Sequence, residues 1–233
     1  MTRKALILDF GGVVIKTPFE IMEPLERRLG LAPGTFAWRG PFDPARDGRW
    51  RAMQDDEISE RDYWALRAEE VGRVSGAVTP WSTRDLMRAF YACSESDFVR
   101  PEAVEAIAAA ADAGVIVAVL TNDLAAFHGP TWFASLAVSR SIACVVDATF
   151  TGVLKPMPGA YANVLSELGL EPQQALFVDD QPRNVDGSER IGMPALHFDV
   201  TEPRASYEGV LAWFGLQRDS RRGNDASAAR IVV

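Results

Sequence analysis

Five short stretches of the chain are almost continuously apolar: residues 4–9 (KALILD), 115–120 (VIVAVL), 142–147 (IACVVD), 175–179 (ALFVD) and 194–198 (PALHF). Apolar runs without an in–out alternation predict strands covered on both faces, the pattern of a parallel sheet. Helical patterns fill the gaps. Residues 100–114 (RPEAVEAIAAAADAG) place Pro101 in a first turn, acids early, an alanine-rich body and Gly114 as a stop. Residues 155–169 (KPMPGAYANVLSELG) put Tyr161, Val164, Leu165 and Leu168 at helical spacing before Gly169, and residues 184–192 (NVDGSERIG) predict a shorter helix. Strand alternating with helix is the doubly wound α/β pattern.

Between residues 16 and 100 the pattern changes. Trp38, Trp50, Trp64 and Trp81 fall here, beside helical stretches such as residues 59–72 (SERDYWALRAEEVG), where Ser59 and Asp62 form a capping pair. Residues 36–50 (FAWRGPFDPARDGRW) read as loop. The expected organisation is an α/β core made of residues 1–15 and 101–216, an all-helical insert over 16–100, and a polar, aperiodic, flexible tail over 217–233.

A chain of 233 residues has room for one substantial core with a small insert. Its net charge of −8 argues against nucleic acid or an anionic membrane as partner, since both reward a basic patch. Asp9 interrupts the N-terminal apolar run and no long hydrophobic stretch follows, so neither a signal peptide nor a membrane span is expected. Cys93 and Cys144 match no metal or redox spacing and read as reduced thiols of a cytoplasmic protein, monomeric or homodimeric.

Three predicted strands end in polar groups able to meet in one crevice: Asp9 after the first, Thr121 and Asn122 after the second, Asp179 and Asp180 after the fourth. Asp9 alone has two readings. It caps a turn through the N–H groups of Gly11 and Gly12, or it serves a ligand site where those glycines let backbone approach a phosphate. Adding Asp179 and Asp180 favours the second reading with a divalent cation, because clustered carboxylates otherwise repel, and Mg²⁺ suits one or two carboxylates plus waters and a phosphate. Lys155 stands among cations that are otherwise arginine after Lys16, which suits a site wanting a compact ammonium. His128 and His197 lack partners at metal spacing, and Arg46, Arg49 and Arg51 read as a solvated charged run.

DFGGVV, LTND, LKPMPGAY and FVDDQPRNVDGSERIGM, in this order, resemble the four motifs of the haloacid dehalogenase (HAD) superfamily of hydrolases, and the insert resembles its type 1 helical cap. Within the superfamily the chain is similar to the phosphatase domain of soluble epoxide hydrolases. The resemblance implies a Rossmann-like parallel sheet of order 5-4-1-2-3 and a Mg²⁺-dependent phosphatase acting on a small-molecule phosphate ester. It implies Asp9 as nucleophile, with Mg²⁺ held by Asp9, the Gly11 carbonyl, Asp179 and Asp180. It implies phosphate binding by Gly11, Gly12, Thr121, Asn122 and Lys155. Beside it, Asp123 is a candidate auxiliary acid, and Asn184 reads as a brace for the DDQPRN loop. Gly11 departs from the pattern: most phosphatases of the superfamily carry there an aspartate that protonates the leaving group, help worth about 10²–10⁴-fold. That glycine also leaves room for a backbone with positive φ. Two alternatives stay open, a 2-haloacid dehalogenase and a non-catalytic ligand-binding or regulatory protein.

Overall fold

The computed structural model describes residues 3–216, so the expected tail over 217–233 lies outside the described residues. Its centre is a five-stranded parallel sheet of β1 (Ala5–Leu8), β2 (Ile116–Thr121), β3 (Cys144–Asp147), β4 (Ala175–Asp179) and β5 (Ala195–His197). The order is β3-β2-β1-β4-β5, the expected 5-4-1-2-3 read from the other edge.

Alternation across the pleat splits the apolar residues between two layers of helix. Leu6, Leu8, Val117, Val119, Leu176 and Val178 face the helices Pro101–Asp112 and Pro203–Trp213 through Ala103, Ala106, Ile107, Tyr207 and Val210. Ala5, Ile7, Ala118, Leu120 and Phe177 face the helix Pro158–Leu168 through Tyr161, Val164, Leu165 and Leu168. Both faces of every central strand are therefore dry, which is why their sequences are unbroken apolar runs. The helix Pro203–Trp213 has no counterpart among the helices predicted from sequence, because its apolar stripe is short and diluted by polar residues.

Among the described residues between β1 and the helix at Pro101, regular structure is helical: Met22–Arg28, Gly48–Gln54, Glu60–Val74, Thr83–Phe90 and Glu95–Phe98. Ser59 and Asp62 form the expected capping box, and Ser82 with Asp85 forms a second. Residues 36–50 are not the plain loop read from sequence. They hold two 3₁₀ turns, Gly40–Phe42 and Pro44–Arg46, and enter the helix at Gly48. The cause is Asp47, whose buried carboxylate accepts the N–H groups of Arg39, Gly40 and Trp50, each at 3.1 Å, and pairs with buried Arg67 at 2.7 Å. Trp38, Trp50 and Trp64 are buried here in one cluster continuous with the sheet.

The chain leaves and re-enters the sheet side by side. Ile15 and Val99 form an antiparallel bridge, flanked by Lys16 N–H to Phe98 O at 2.7 Å and Arg100 N–H to Val14 O at 3.0 Å. The Arg100 guanidinium, 2% exposed, locks the crossing: it donates to Gly12 O at 3.0 Å and to both oxygens of Glu20 at 2.8 and 2.7 Å. Removing one partner of such a buried pair typically costs about 3–5 kcal/mol.

Candidate active site

The register of the sheet sets the site. Leu8 pairs with Val178 in β4, so one step further Asp9 and Asp179 leave adjacent strands together, with Asp9 N–H bonded to Val178 O at 2.8 Å. Lys155 comes from the loop between β3 and the helix Pro158–Leu168. Its Nζ donates to Asp9 Oδ1 at 2.8 Å and to Asp179 Oδ2 at 2.6 Å. Burial alone would lower the Lys155 pKa, but Asp179 and Asp9 outweigh it and hold the ammonium charged.

Asn122 aims that lysine. Its side-chain Oδ1 accepts Lys155 N–H at 2.8 Å and its Nδ2 donates to Lys155 O at 3.2 Å. The amide is spent on backbone, so donation from this residue to an anion falls to its own N–H. Thr121, the last residue of β2, lines the same cavity of about 110 Å³ as Asp9, Gly11, Gly12, Lys155 and Asp180.

Asp179 is wholly buried and stands behind the cavity wall. Its Oδ1 accepts Gln181 N–H at 2.8 Å and Asn184 Nδ2 at 3.0 Å, while its Oδ2 accepts Lys155 and, at 3.1 Å, Asn184. Asn184 is thus tied into this loop, and its own Oδ1 is buried with no partner among the described residues. Asp180 contrasts with its neighbour, accepting only Gln181 Nε2 at 3.2 Å. Burial, then Asp179, Asp9 and Glu60, push the Asp180 carboxyl well above its usual range; burial pushes Asp9 up to about 7 against the pull of Lys155.

Carboxylate oxygens of Asp9, Asp179 and Asp180 lie within 4.8 Å of one another, with one ammonium among them. Surplus negative charge and an orphaned amide oxygen make a donor set composed of acceptors, which fits a hard divalent cation. The glycines divide their work differently from the sequence expectation. Gly12, not Gly11, has positive φ (80°), and a Cβ there would come 2.8 Å from Asp180 Oδ2. At Gly11 a Cβ would meet nothing within 4 Å.

Asp123 is engaged: its Oδ1 accepts Arg61 Nε at 2.8 Å and Nη2 at 2.6 Å. His128 is half-buried with its ring stacked on Trp132, and its desolvation pushes the pKa down to about 3. His197 Nε2 lies 3.1 Å from Asp180 O. Arg49 pairs with Glu70, and none of Arg46, Arg49 and Arg51 lines the cavity. Sequence reasoning missed Glu60, Phe19 and Gln181, which line the cavity with Trp50 and Trp64. Their only sequence signal is proximity to capping or turn residues, which says nothing about facing a sheet.

Sheet order and the acid–lysine cluster at its carboxyl edge define a Rossmann-like α/β protein with its site at the strand ends. Residues 3–192 match the hydrolase family described as haloacid dehalogenase-like hydrolase, and the chain belongs to that family. It is 26% identical over 217 residues, 91% of this chain, to acyl-CoA dehydrogenase family member 10 of Mus musculus, of which the match covers 19%. It is 34% identical over 80 residues to flavin mononucleotide hydrolase 1 of Arabidopsis thaliana, covering 33% of each. The chain thus matches a minor part of each of these relatives. A HAD phosphatase structure from Thermococcus onnurineus shares the fold, with a TM-score of 0.56 at 18% identity over 92% of this chain and 99% of that one. No helix among the described residues is long and apolar enough to cross a membrane.

Proposed function

We propose that the protein is a phosphatase that hydrolyses a small phosphate ester through an aspartyl-phosphate on Asp9, with Mg²⁺ as cofactor. The observation that carries this reading is the charge imbalance at the strand ends: Asp9, Asp179 and Asp180 gathered around a single lysine. Asp9, Asp180 and the Gly11 carbonyl would hold the cation, whose chemistry is to neutralise charge on the phosphoryl oxygens. Asp179 stands behind, orienting Lys155.

On this reading one Asp9 oxygen attacks phosphorus while Lys155, kept charged by its two carboxylates, draws in the dianion and offsets charge as the two anions close. Thr121 and the N–H of Asn122 orient the phosphoryl oxygens. The helical segment 16–100 acts as a cap, its aromatic residues Phe19, Trp50 and Trp64 forming the apolar side of the cavity. Substrate is therefore expected to carry an apolar or ring portion beside its phosphate.

The dehalogenase alternative needs an aspartate nucleophile but no cation, and it leaves the sparsely bonded Asp180 without a task. The test is turnover of p-nitrophenyl phosphate with and without Mg²⁺, beside halide release from a 2-haloacid. Mg²⁺-dependent phosphate release is expected, and Asp180→Asn should weaken Mg²⁺ binding in calorimetry by at least about 10-fold. Halide release alone would install the dehalogenase reading. Binding of Mg²⁺ and phosphate with no turnover of any ester would install the non-catalytic one.

A further inference from the structure

Gly11 removes the residue from which related phosphatases hand a proton to the departing oxygen, and the space beside it is open. Building on the phosphatase reading, we propose that the Glu60 carboxyl group, brought into the cavity by the helical segment, is the proton donor and acceptor that Gly11 cannot be.

Elimination among the ionisable groups lining the cavity supports the choice. Asp9 is the nucleophile, Asp180 belongs to the cation, and Lys155 is fixed between two carboxylates. Asp123 Oδ1 takes both bonds from Arg61, at 2.8 and 2.6 Å, so that side chain is committed to the guanidinium. His128 is neutral and stacked on Trp132. The Tyr91 hydroxyl donates to Lys16 O at 2.9 Å, and burial holds its pKa far above neutrality.

Glu60 differs from all of these. It forms no ion pair among the described residues, and its carboxylate takes a single long hydrogen bond, from Trp64 Nε1 at 3.4 Å. The charged groups facing it are Asp123, Asp180, Arg61, Arg183 and Lys155. Burial, then Asp123, raise its pKa against the pull of Arg183 and Lys155, which favours the protonated form that a donor needs. An acid in the first turn of a 15-residue helix also satisfies the helix N-terminus, and that structural role is what the test has to separate.

The reaction balances. Asp9 Oδ forms a bond to phosphorus and the bond from phosphorus to the ester oxygen breaks. The electron pair stays on that oxygen, which takes the Glu60 proton and departs as alcohol. Glu60, now ionised, takes a proton from water as the water oxygen attacks phosphorus. Inorganic phosphate leaves, Asp9 returns as carboxylate and Glu60 returns protonated.

The experiment compares kcat/KM for p-nitrophenyl phosphate and for a simple alkyl phosphate, with Mg²⁺, in the wild type, Glu60→Gln, and Glu60→Gln combined with Gly11→Asp. Glutamine keeps the shape of the side chain, and melting curves check the fold of each variant. Loss of the proton should cost the alkyl ester about 10²–10³-fold and the activated aryl ester less than about 5-fold. Gly11→Asp should restore alkyl turnover, since its new side chain enters open space. Equal losses on both esters, or no loss on either, would overturn the role of Glu60 while leaving the phosphatase reading intact. A wild type inactive on both esters would sink the phosphatase reading and the Glu60 role with it.

Discussion

The two walls of the cavity are built in opposite ways. On the sheet side the nucleophile candidate, the lysine and Asp179 are locked to one another and to backbone; the two acids leave strand ends whose spacing the sheet dictates, and Lys155 reaches them from the loop after β3. On the helical side Glu60 is sparsely bonded among aromatic rings, while the strong polar bonds lie deeper, where Asp47 and Arg67 fasten the segment together. The acid–lysine cluster is fixed by the sheet, whereas the aromatic wall and Glu60 stand on a separately braced body. Substitutions in the acid–lysine cluster and in the brace behind the helical wall should therefore fail differently, one in turnover and one in folding.

The largest contrast comes from Asp9→Asn. Turnover should fall by several orders of magnitude because the attacking oxygen is gone, with circular dichroism unchanged. Retained wild-type turnover would refute the aspartyl-phosphate mechanism and the functional asymmetry of the walls.

Next is Asp47→Asn on the helical side. It removes the charge closest to the buried Arg67 guanidinium, leaving it Glu70 at 3.1 Å, and weakens the brace of residues 39–50, so unfolding free energy should drop by about 3 kcal/mol, read from denaturant midpoints. Burial alone would raise the Asp47 carboxyl, but the N–H groups of Gly40, Trp50 and Arg39, with Arg67, hold it below its usual range. A group depressed in the folded state contributes its stability above the unfolded carboxylate pKa of about 3.9. The wild type should lose that contribution as pH falls through the lower folded value, and Asp47→Asn should show less acid sensitivity.

The smallest effect separates the glycines. Gly12→Ala meets both a positive φ and Asp180, and should lower stability by about 1–2 kcal/mol, or roughly 2–8 °C in Tm. Gly11→Ala should stay within about 0.5 kcal/mol. Equal melting temperatures would mean that Asp180 yields to Gly12 more readily than its packed position implies.

Much of the sheet wall is legible in the chain because strand pattern, strand end and motif coincide there. The five apolar runs are the five strands, and Asp9, Thr121, Asn122, Lys155 and Asp180 all reach the rim of one cavity. Finer assignments needed three dimensions. In LTND Asn122 reads as a phosphate donor and Asp123 as an auxiliary acid, yet the Asn122 amide aims Lys155 and Asp123 is tied to Arg61, 62 residues away in sequence. Residues 36–50 read as loop because their organiser, Asp47, gathers N–H groups from both sides of two prolines, a pattern without a period. Glu60 reads as an ordinary first-turn acid. Only the docking of its helix brings it into the same cavity as Asp9, and no local signal encodes that docking.

The paired crossing at Ile15 and Val99 has a consequence for how such a protein diversifies. Because the outgoing and returning strands are joined by backbone hydrogen bonds and clamped by Arg100, the segment between them is spliced in at a single port. A helical body of another size or lining could be grafted between those two residues without changing which strand follows which in the sheet. The lining of the cavity and the acid–lysine cluster can then be inherited separately, one by exchanging the graft and the other by keeping the stock.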